Sequence, residues 1–273
     1  MDPFQAIILG LIQGLTEYLP ISSTAHLRVV PALVGWPDPG AAYSAVVQLG
    51  TLLAVVVYFF RDLVAMAASF FRCLWRRKPF AETEARLAWL IAIGTVPVGV
   101  CGLVFQEAIE TSLRSLWVVS AALGGLALLL GLAEWRGKRG LDMQQLGWLG
   151  GLLIGLAQAL ALIPGASRSG VTITAGLFVG LKRADAARFS FLLSVPAVAA
   201  SGLYELSSLA RSSPAGVPWL AVALGTAAAA ASGYAAIAFL LRFLQKRSTA
   251  VFIAYRLLLG GAIATLLGFG VLG

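Results

Sequence analysis

Four residues bring the means for chemistry into otherwise apolar sequence: Glu17, Ser23, His26 and Arg168. Glu17 lies in GLIQGLTEYLPISSTAH (residues 10–26), four residues after Gln13, so the two share a helix face. A carboxylate within an apolar span is costly unless it is paired, hydrated or bound to a cation. Glu17 therefore reads as a metal ligand or general base, or as a hydrogen-bonding group that ties down a turn. Ser22, Ser23 and Thr24 follow Pro20 and are suited to cap a new helix. The free N–H groups of such a helix start also attract anions, and a hydroxyl becomes a nucleophile if a base lies within reach. His26, the single histidine, falls three residues after Ser23 on the same face. It reads as a base for Ser23, as a nucleophile or proton donor in its own right, or as a structural group.

The second polar segment is PGASRSGVT, Pro164–Thr172. Gly165 permits a tight turn, and Ser167, Ser169 and Thr172 supply hydroxyls. Arg168 matches phosphate oxygens in a bidentate way, so turn, hydroxyls and helix start together read as a phosphate cradle. The alternative is an Arg168–Glu17 ion pair that locks the two segments together. Arg256, inside the last apolar stretch, either snorkels to the interface or helps to hold a phosphate. Arg28, Lys182 and Arg183 read as snorkelling cations, and the Gly10–Gly14 and Gly151–Gly155 spacings as close helix packing.

The elements that position these groups follow from composition. The chain is 59% hydrophobic and 12% charged, and its mean hydropathy is +0.89. A soluble domain carries about 25% charged residues, so this composition indicates an integral membrane protein. The formal charge of +8 sits largely in clusters at Arg72–Lys78, Arg136–Arg139 and Arg242–Arg247. That is the positive-inside pattern, and it argues against nucleic-acid binding. Cys73 and Cys101 suggest neither a disulfide nor a zinc site. The start, MDPFQ, has no basic n-region, so no cleavable leader is expected.

Six full crossings are expected near 41–60, 87–105, 115–133, 187–207, 218–241 and 250–271. Loops 61–86, 134–146 and 242–249 fall on the cytoplasmic side, and 106–114 and 208–217 on the outer side. Stretches 4–35 and 147–181 differ from the crossings. Each is a helix, a proline-containing break and a shorter helix, which predicts two re-entrant hairpins meeting at the midplane from opposite faces. Gly10 and Gln13 match Gly155 and Gln158; after a one-residue gap, Pro20 and Ser23 match Pro164 and Ser167; further on, Tyr43 and Ser44 match Phe189 and Ser190. These matches predict one all-α membrane domain, 1–273, built from an inverted-topology repeat of about 1–133 and 147–273.

Over essentially its whole length the chain resembles the undecaprenyl-diphosphatase family, also called bacitracin resistance proteins. The family's (E/Q)xxxE pattern stands as Gln13–Glu17, its continuation as Leu19–His26, and its PGxSRSxxT pattern as Pro164–Thr172. The resemblance implies a multi-pass enzyme of the bacterial plasma membrane. It would hydrolyse undecaprenyl diphosphate to the monophosphate and so recycle the lipid carrier of cell-wall synthesis. It also implies dependence on a divalent cation, Mg²⁺ or Ca²⁺, with Glu17 essential and a metal ligand. Ser23 or His26 would be the nucleophile or its base, and Arg168 would hold the diphosphate. Gln13, Ser22, Thr24, Gly165, Ser167, Ser169 and Thr172 would contact substrate. Gln13 stands where many members have Glu, which weakens any mechanism needing two carboxylates on the first hairpin. The expected partners are the lipid diphosphate and bilayer lipids, with a homodimer left open. A lipid-carrier flippase or other inverted-repeat transporter is the alternative, since hairpins meeting at the midplane are also transporter architecture.

Overall fold

The computed structural model describes residues 1–212 and 219–271, and it is helical throughout its ordered elements. α1 (Pro3–Tyr18) starts on a capping box between Asp2 and Gln5, with Pro3 in its first turn. It stops because Leu19, placed before Pro20, is driven to extended backbone. α2 (Ser23–Val34) starts on Ser22 and ends on the left-handed Gly35. α3 (Gly40–Tyr58) bends by 77° into α4 (Phe60–Trp75). Then follow α5 (Thr83–Val104), a short α6 (Gln106–Glu110), α7 (Leu116–Arg136), α8 (Trp148–Ala159) and α9 (Arg168–Val179). α10 (Arg183–Ser212), α11 (Trp219–Lys246) and α12 (Ala250–Gly268) complete the chain.

Among the described residues, α5, α7, α10, α11 and α12 are long and apolar enough to cross a bilayer, and the bent α3–α4 pair is a sixth candidate. The chain is thus an all-α integral membrane protein. Both hairpins form where the sequence breaks them, as α1–α2 and as α8–α9 joined through a single 3₁₀ turn, Leu160–Leu162. The expected loop 61–86 is a different matter. Its first half is α4, because Leu63–Phe71 carries no charge and the flanking Asp62 and Arg72 sit in the helix's first and last turns, where they favour it. The loop expected at 106–114 holds α6 and a 3₁₀ turn. Residues 208–212 of the loop expected at 208–217 belong to α10, and 213–218 lie outside the described residues.

Close approaches at glycine hold the hairpins. A Cβ on Gly10 would lie 2.1 Å from the Gly225 carbonyl oxygen of α11, and one on Gly155 would lie 2.4 Å from Gly94 Cα of α5. α1 thus packs on α11 as α8 packs on α5. α3 also packs on α11 as α10 packs on α5, while α3 meets α10 and α7 meets α12. Exchanging α1, α3, α5 and α7 for α8, α10, α11 and α12 leaves this set of pairs unchanged. Beside the hairpin tips the core is aromatic, with Tyr18, Phe59 and Phe191 all buried.

Candidate active site

The two hairpins turn on the same backbone device. Ser22 (φ 73°, ψ 98°) and Ser167 (φ 69°, ψ 113°) both adopt positive φ as N-caps. Each hydroxyl accepts from the N–H three residues on, Ala25 at 3.4 Å and Gly170 at 3.1 Å. Non-glycine residues are rare in this region, so the surroundings must hold both caps. The caps also align the hairpins without a gap: Ser22 corresponds to Ser167, which places Ser23 and Arg168 at the same first helical position. The sequence match of Ser23 with Ser167 is one residue off, because it was anchored on the prolines rather than on the repeated cap.

Around these two positions lies a cavity of about 30 Å³, room for about one water molecule. Glu17, Ser23, Thr24, Ser167 and Arg168 line it, with Gln48 of α3. Ser23 Oγ donates to Glu17 Oε2 at 2.6 Å, and Gln13 Nε2 donates to the same oxygen at 2.9 Å. Glu17 Oε1 faces Arg168 Nη1 at 4.0 Å, an ion pair without a hydrogen bond. The Nε and Nη1 of Arg168 are buried with no acceptor. So the expected lock between Arg168 and Glu17 is loose, and the guanidinium keeps donors to spend. Gln13 Oε1 is likewise buried and unpartnered beside the carboxylate.

Several expected substrate contacts are occupied elsewhere. Ser169 Oγ lies 3.1 Å from the Leu19 carbonyl oxygen and 3.2 Å from that of Glu17, which staples the second hairpin to the end of α1. Thr172 Oγ1 donates to the Arg168 carbonyl at 2.7 Å and lies 2.6 Å from Ser190 Oγ. Gly165 serves close packing, since a Cβ there would lie 2.5 Å from the Val119 carbonyl oxygen at a φ of 92°. Ser22 is buried as the cap itself. Of the expected set, Glu17, Ser23, Thr24, Ser167 and Arg168 meet at the cavity; Gln13 stands one bond behind it.

His26 shares no hydrogen bond with Ser23 among the described residues. Its Nδ1 lies 2.7 Å from the Ser22 carbonyl oxygen, so Nδ1 carries the proton, and its Nε2 lies 2.6 Å from the Tyr255 hydroxyl. The two rings are parallel within 6° at 5.7 Å. In the neutral ring Nε2 accepts from Tyr255.

Arg256 neither snorkels nor faces the cavity: its side chain is fully buried. Its Nη2 donates to the carbonyls of Ala166 (3.0 Å), Ala122 (3.2 Å) and Gly165 (3.4 Å). Nε reaches Leu123 at 3.2 Å and Nη1 reaches Pro20 at 3.5 Å. One guanidinium thus caps loose carbonyls at the hairpin turns and ties them to the backbone of α7. Arg28, Lys182 and Arg183 do not stand alone either. They pair with Asp38, Asp142 and Glu134.

Gln48 was missed from sequence, although a glutamine within an apolar span is a signal in itself. No cluster of three or more His, Cys, Asp or Glu side chains occurs among the described residues. Any hard cation here would therefore lean on one carboxylate, neutral oxygens and the substrate.

Helices long and apolar enough to cross a membrane, packed around a buried carboxylate–hydroxyl pair that faces an arginine with open donors, define a multi-pass integral membrane protein with a polar cluster in its interior. Residues 6–262 match the family described as bacitracin resistance protein BacA, and the chain belongs to that family. Similar proteins carry the name undecaprenyl-diphosphatase. One from Chlorobium phaeovibrioides is 54% identical over 282 residues, covering 100% of this chain and 99% of that protein. One from Myxococcus xanthus is 55% identical, covering 99% of this chain and 91% of that protein. One from Chlorobaculum tepidum is 52% identical, covering 99% of each.

Proposed function

We propose that the chain hydrolyses undecaprenyl diphosphate to undecaprenyl phosphate and inorganic phosphate in the bacterial plasma membrane, and so recycles a lipid carrier for cell-wall synthesis. The observation that carries this is the Ser23–Glu17 hydrogen bond facing the open donors of Arg168. A nucleophile, its base and a phosphate-binding cation share one cavity, as group transfer requires and binding alone does not. Family membership and the names of the relatives agree with it.

The lipid tail stays among the helices while the diphosphate enters at the hairpin tips. The cavity holds about one water, so a phosphoryl group enters as the partly exposed Arg168 and Thr24 side chains turn aside. Arg168 and the Thr24 and Ser167 hydroxyls spread the charge of the terminal phosphoryl group; positioning and charge stabilisation are the main demands of this reaction. Ser23 Oγ attacks the terminal phosphorus, Glu17 takes its proton, and the bridging P–O bond breaks to release undecaprenyl phosphate. Water then attacks the phosphoserine. Glu17 returns the proton to Ser23 Oγ and phosphate leaves as H₂PO₄⁻. His26 holds the strained Ser22 carbonyl and thereby aims Ser23, outside the proton path.

The residues fit a divalent cation. Glu17 with the unpartnered Gln13 Oε1 offers oxygen ligands suited to Mg²⁺ or Ca²⁺. Such an ion would neutralise diphosphate charge. The partner exchange among helices supports an inverted repeat of about 1–133 and 147–273, with the tips meeting from opposite faces.

The test is phosphate release by purified protein in detergent, where transport is impossible. Acid-quenched reactions with ³²P-labelled substrate should trap label on Ser23. Normal turnover by both Ser23→Ala and Arg168→Ala proteins overturns the site.

A further inference from the structure

A cavity larger than the hairpin pocket lies away from the hairpin tips. It measures about 750 Å³ and lies where the α3–α4 bend, the α7–α8 connection, the start of α10 and the end of α11 come together. Five cations face it: Arg139, Lys182, Arg183, Arg188 and Arg242. Two carboxylates, Asp62 and Asp185, join them.

Part of this charge is spent in pairs. Arg188 meets Asp62 at 2.5 Å, and Lys182 meets Asp142 at 2.6 Å. Arg139 and Arg183 converge on the single carboxylate of Glu134, so one anion serves two guanidinia. Asp185 accepts from the Met143 N–H at 3.2 Å and is held at the wall. Arg242, exposed at the mouth, has no carboxylate partner among the described residues. The Nε of Arg188 is buried with no acceptor. Ala184 places the first turn of the thirty-residue α10 in the same wall. The N–H groups of that turn lack helical acceptors and add positive potential.

This cavity shares no lining residue with the hairpin pocket. Buried rings stand between them. Phe59, which lines the large cavity, meets Phe191 at 6.4 Å, and Phe191 meets Tyr18, the neighbour of Glu17, at 4.9 Å.

We propose that this basic cavity is a second anion site that binds a phosphate group, from an anionic lipid headgroup or from free phosphate, separately from the hairpin pocket. Guanidinium forks from several elements, one of them without a carboxylate, are suited to phosphate oxygens. The volume exceeds what a phosphate needs and admits a glycerol-linked headgroup. The Tyr58, Leu241 and Leu244 side chains supply an apolar wall.

The experiment uses protein carrying Glu17→Gln and Arg168→Ala, which disables the hairpin pocket. It is titrated calorimetrically in detergent with inorganic phosphate, and separately with dihexanoyl phosphatidylglycerol below its micelle concentration. Saturable binding of one or both is expected. Binding of the lipid alone assigns the site to headgroups, and binding of phosphate, alone or with the lipid, assigns it to the phosphate group itself. Adding Arg242→Glu, which breaks no ion pair, should weaken binding by about tenfold; Arg188→Gln is the second probe of the same wall. No saturable binding of either ligand overturns the site, as does affinity unchanged in both variants.

Discussion

The two hairpin turns share a capping backbone and differ in two side chains that matter. Each ends a helix, breaks, and restarts on a serine held at positive φ whose hydroxyl caps the new helix. At the next position the first hairpin has Ser23 and the second has Arg168. Upstream of the caps, Glu17 in the first hairpin corresponds to Leu162 in the second. A repeated turn therefore presents two different groups to one small cavity from two sides, a hydroxyl with its carboxylate and a guanidinium with open donors. The scaffold supplies the meeting point, and under the proposed mechanism the differences at the first helical position and at Glu17 divide attack from binding.

The largest effects should come from removing either member of that pair. Ser23→Ala and Arg168→Ala should each lower the rate of phosphate release by about 10³-fold or more. The kinetics should separate them. Arg168→Lys keeps the charge but loses the fork, so KM should rise along with the fall in kcat, whereas Ser23→Ala should act on kcat. Identical kcat and KM changes in the two would break the division of labour drawn above.

Arg256 tests what the hairpins have in common. Its guanidinium satisfies carbonyls at Gly165 and Ala166 of one turn, approaches Pro20 of the other, and reaches Ala122 and Leu123 of α7. Arg256→Met fills much of the volume and leaves the turn carbonyls of Gly165 and Ala166 without their donor, at a cost of about 3 kcal/mol or more. The thermal midpoint in detergent should fall markedly, and Arg256→Lys should recover part of the loss. An unchanged midpoint in Arg256→Met would falsify the keystone role.

How much of this was legible is instructive. The hairpins were legible because Pro20 and Pro164 interrupt apolar runs, and the five long helices because their apolar windows have the length of a bilayer. Glu17, Ser23 and Arg168 stood out because polar side chains are expensive in that setting. What stayed hidden depends on distances across the chain. Ser169 looked like a phosphate contact until the Leu19 carbonyl appeared beside it. Arg256 read either as a snorkelling cation or as a phosphate ligand, because sequence does not show how many unpaired carbonyls two broken helices leave at one point. Helix α4 was hidden by its charged ends, and Gln48 by the length of the apolar run around it.

His26 offers a smaller effect and a sharper discrimination. Its two nitrogens make separate bonds, Nδ1 to the Ser22 carbonyl and Nε2 to Tyr255. An asparagine places its N–H₂ near where Nδ1 stood, while a glutamine reaches toward Nε2. If His26 works by steadying the strained cap, His26→Asn should stay within about threefold of normal turnover, and His26→Gln should fall about tenfold, the loss of one hydrogen bond. Tyr255→Phe should do less than His26→Gln. Both His26 variants collapsing together to the level of Ser23→Ala would instead put the imidazole in the chemistry.

The smallest expected effect bears on the one position where the first hairpin departs from a two-carboxylate pattern. Gln13 donates to Glu17 Oε2 at 2.9 Å and leaves its own Oε1 unpartnered. Gln13→Glu removes that donor and sets two carboxylates against each other. Like charges this close do not both stay ionised unless a proton or a cation joins them. In the presence of chelator the variant should be slower than the parent, because a shared proton blocks Glu17 as base. As Mg²⁺ is restored, the added charge should draw the ion in at about five- to tenfold lower concentration, since affinity for hard cations follows the number of ligand charges. The half-saturating Mg²⁺ concentration reads this out directly. If it does not move, the cation does not sit beside Gln13 and Glu17, and the first hairpin contributes its base and nucleophile alone.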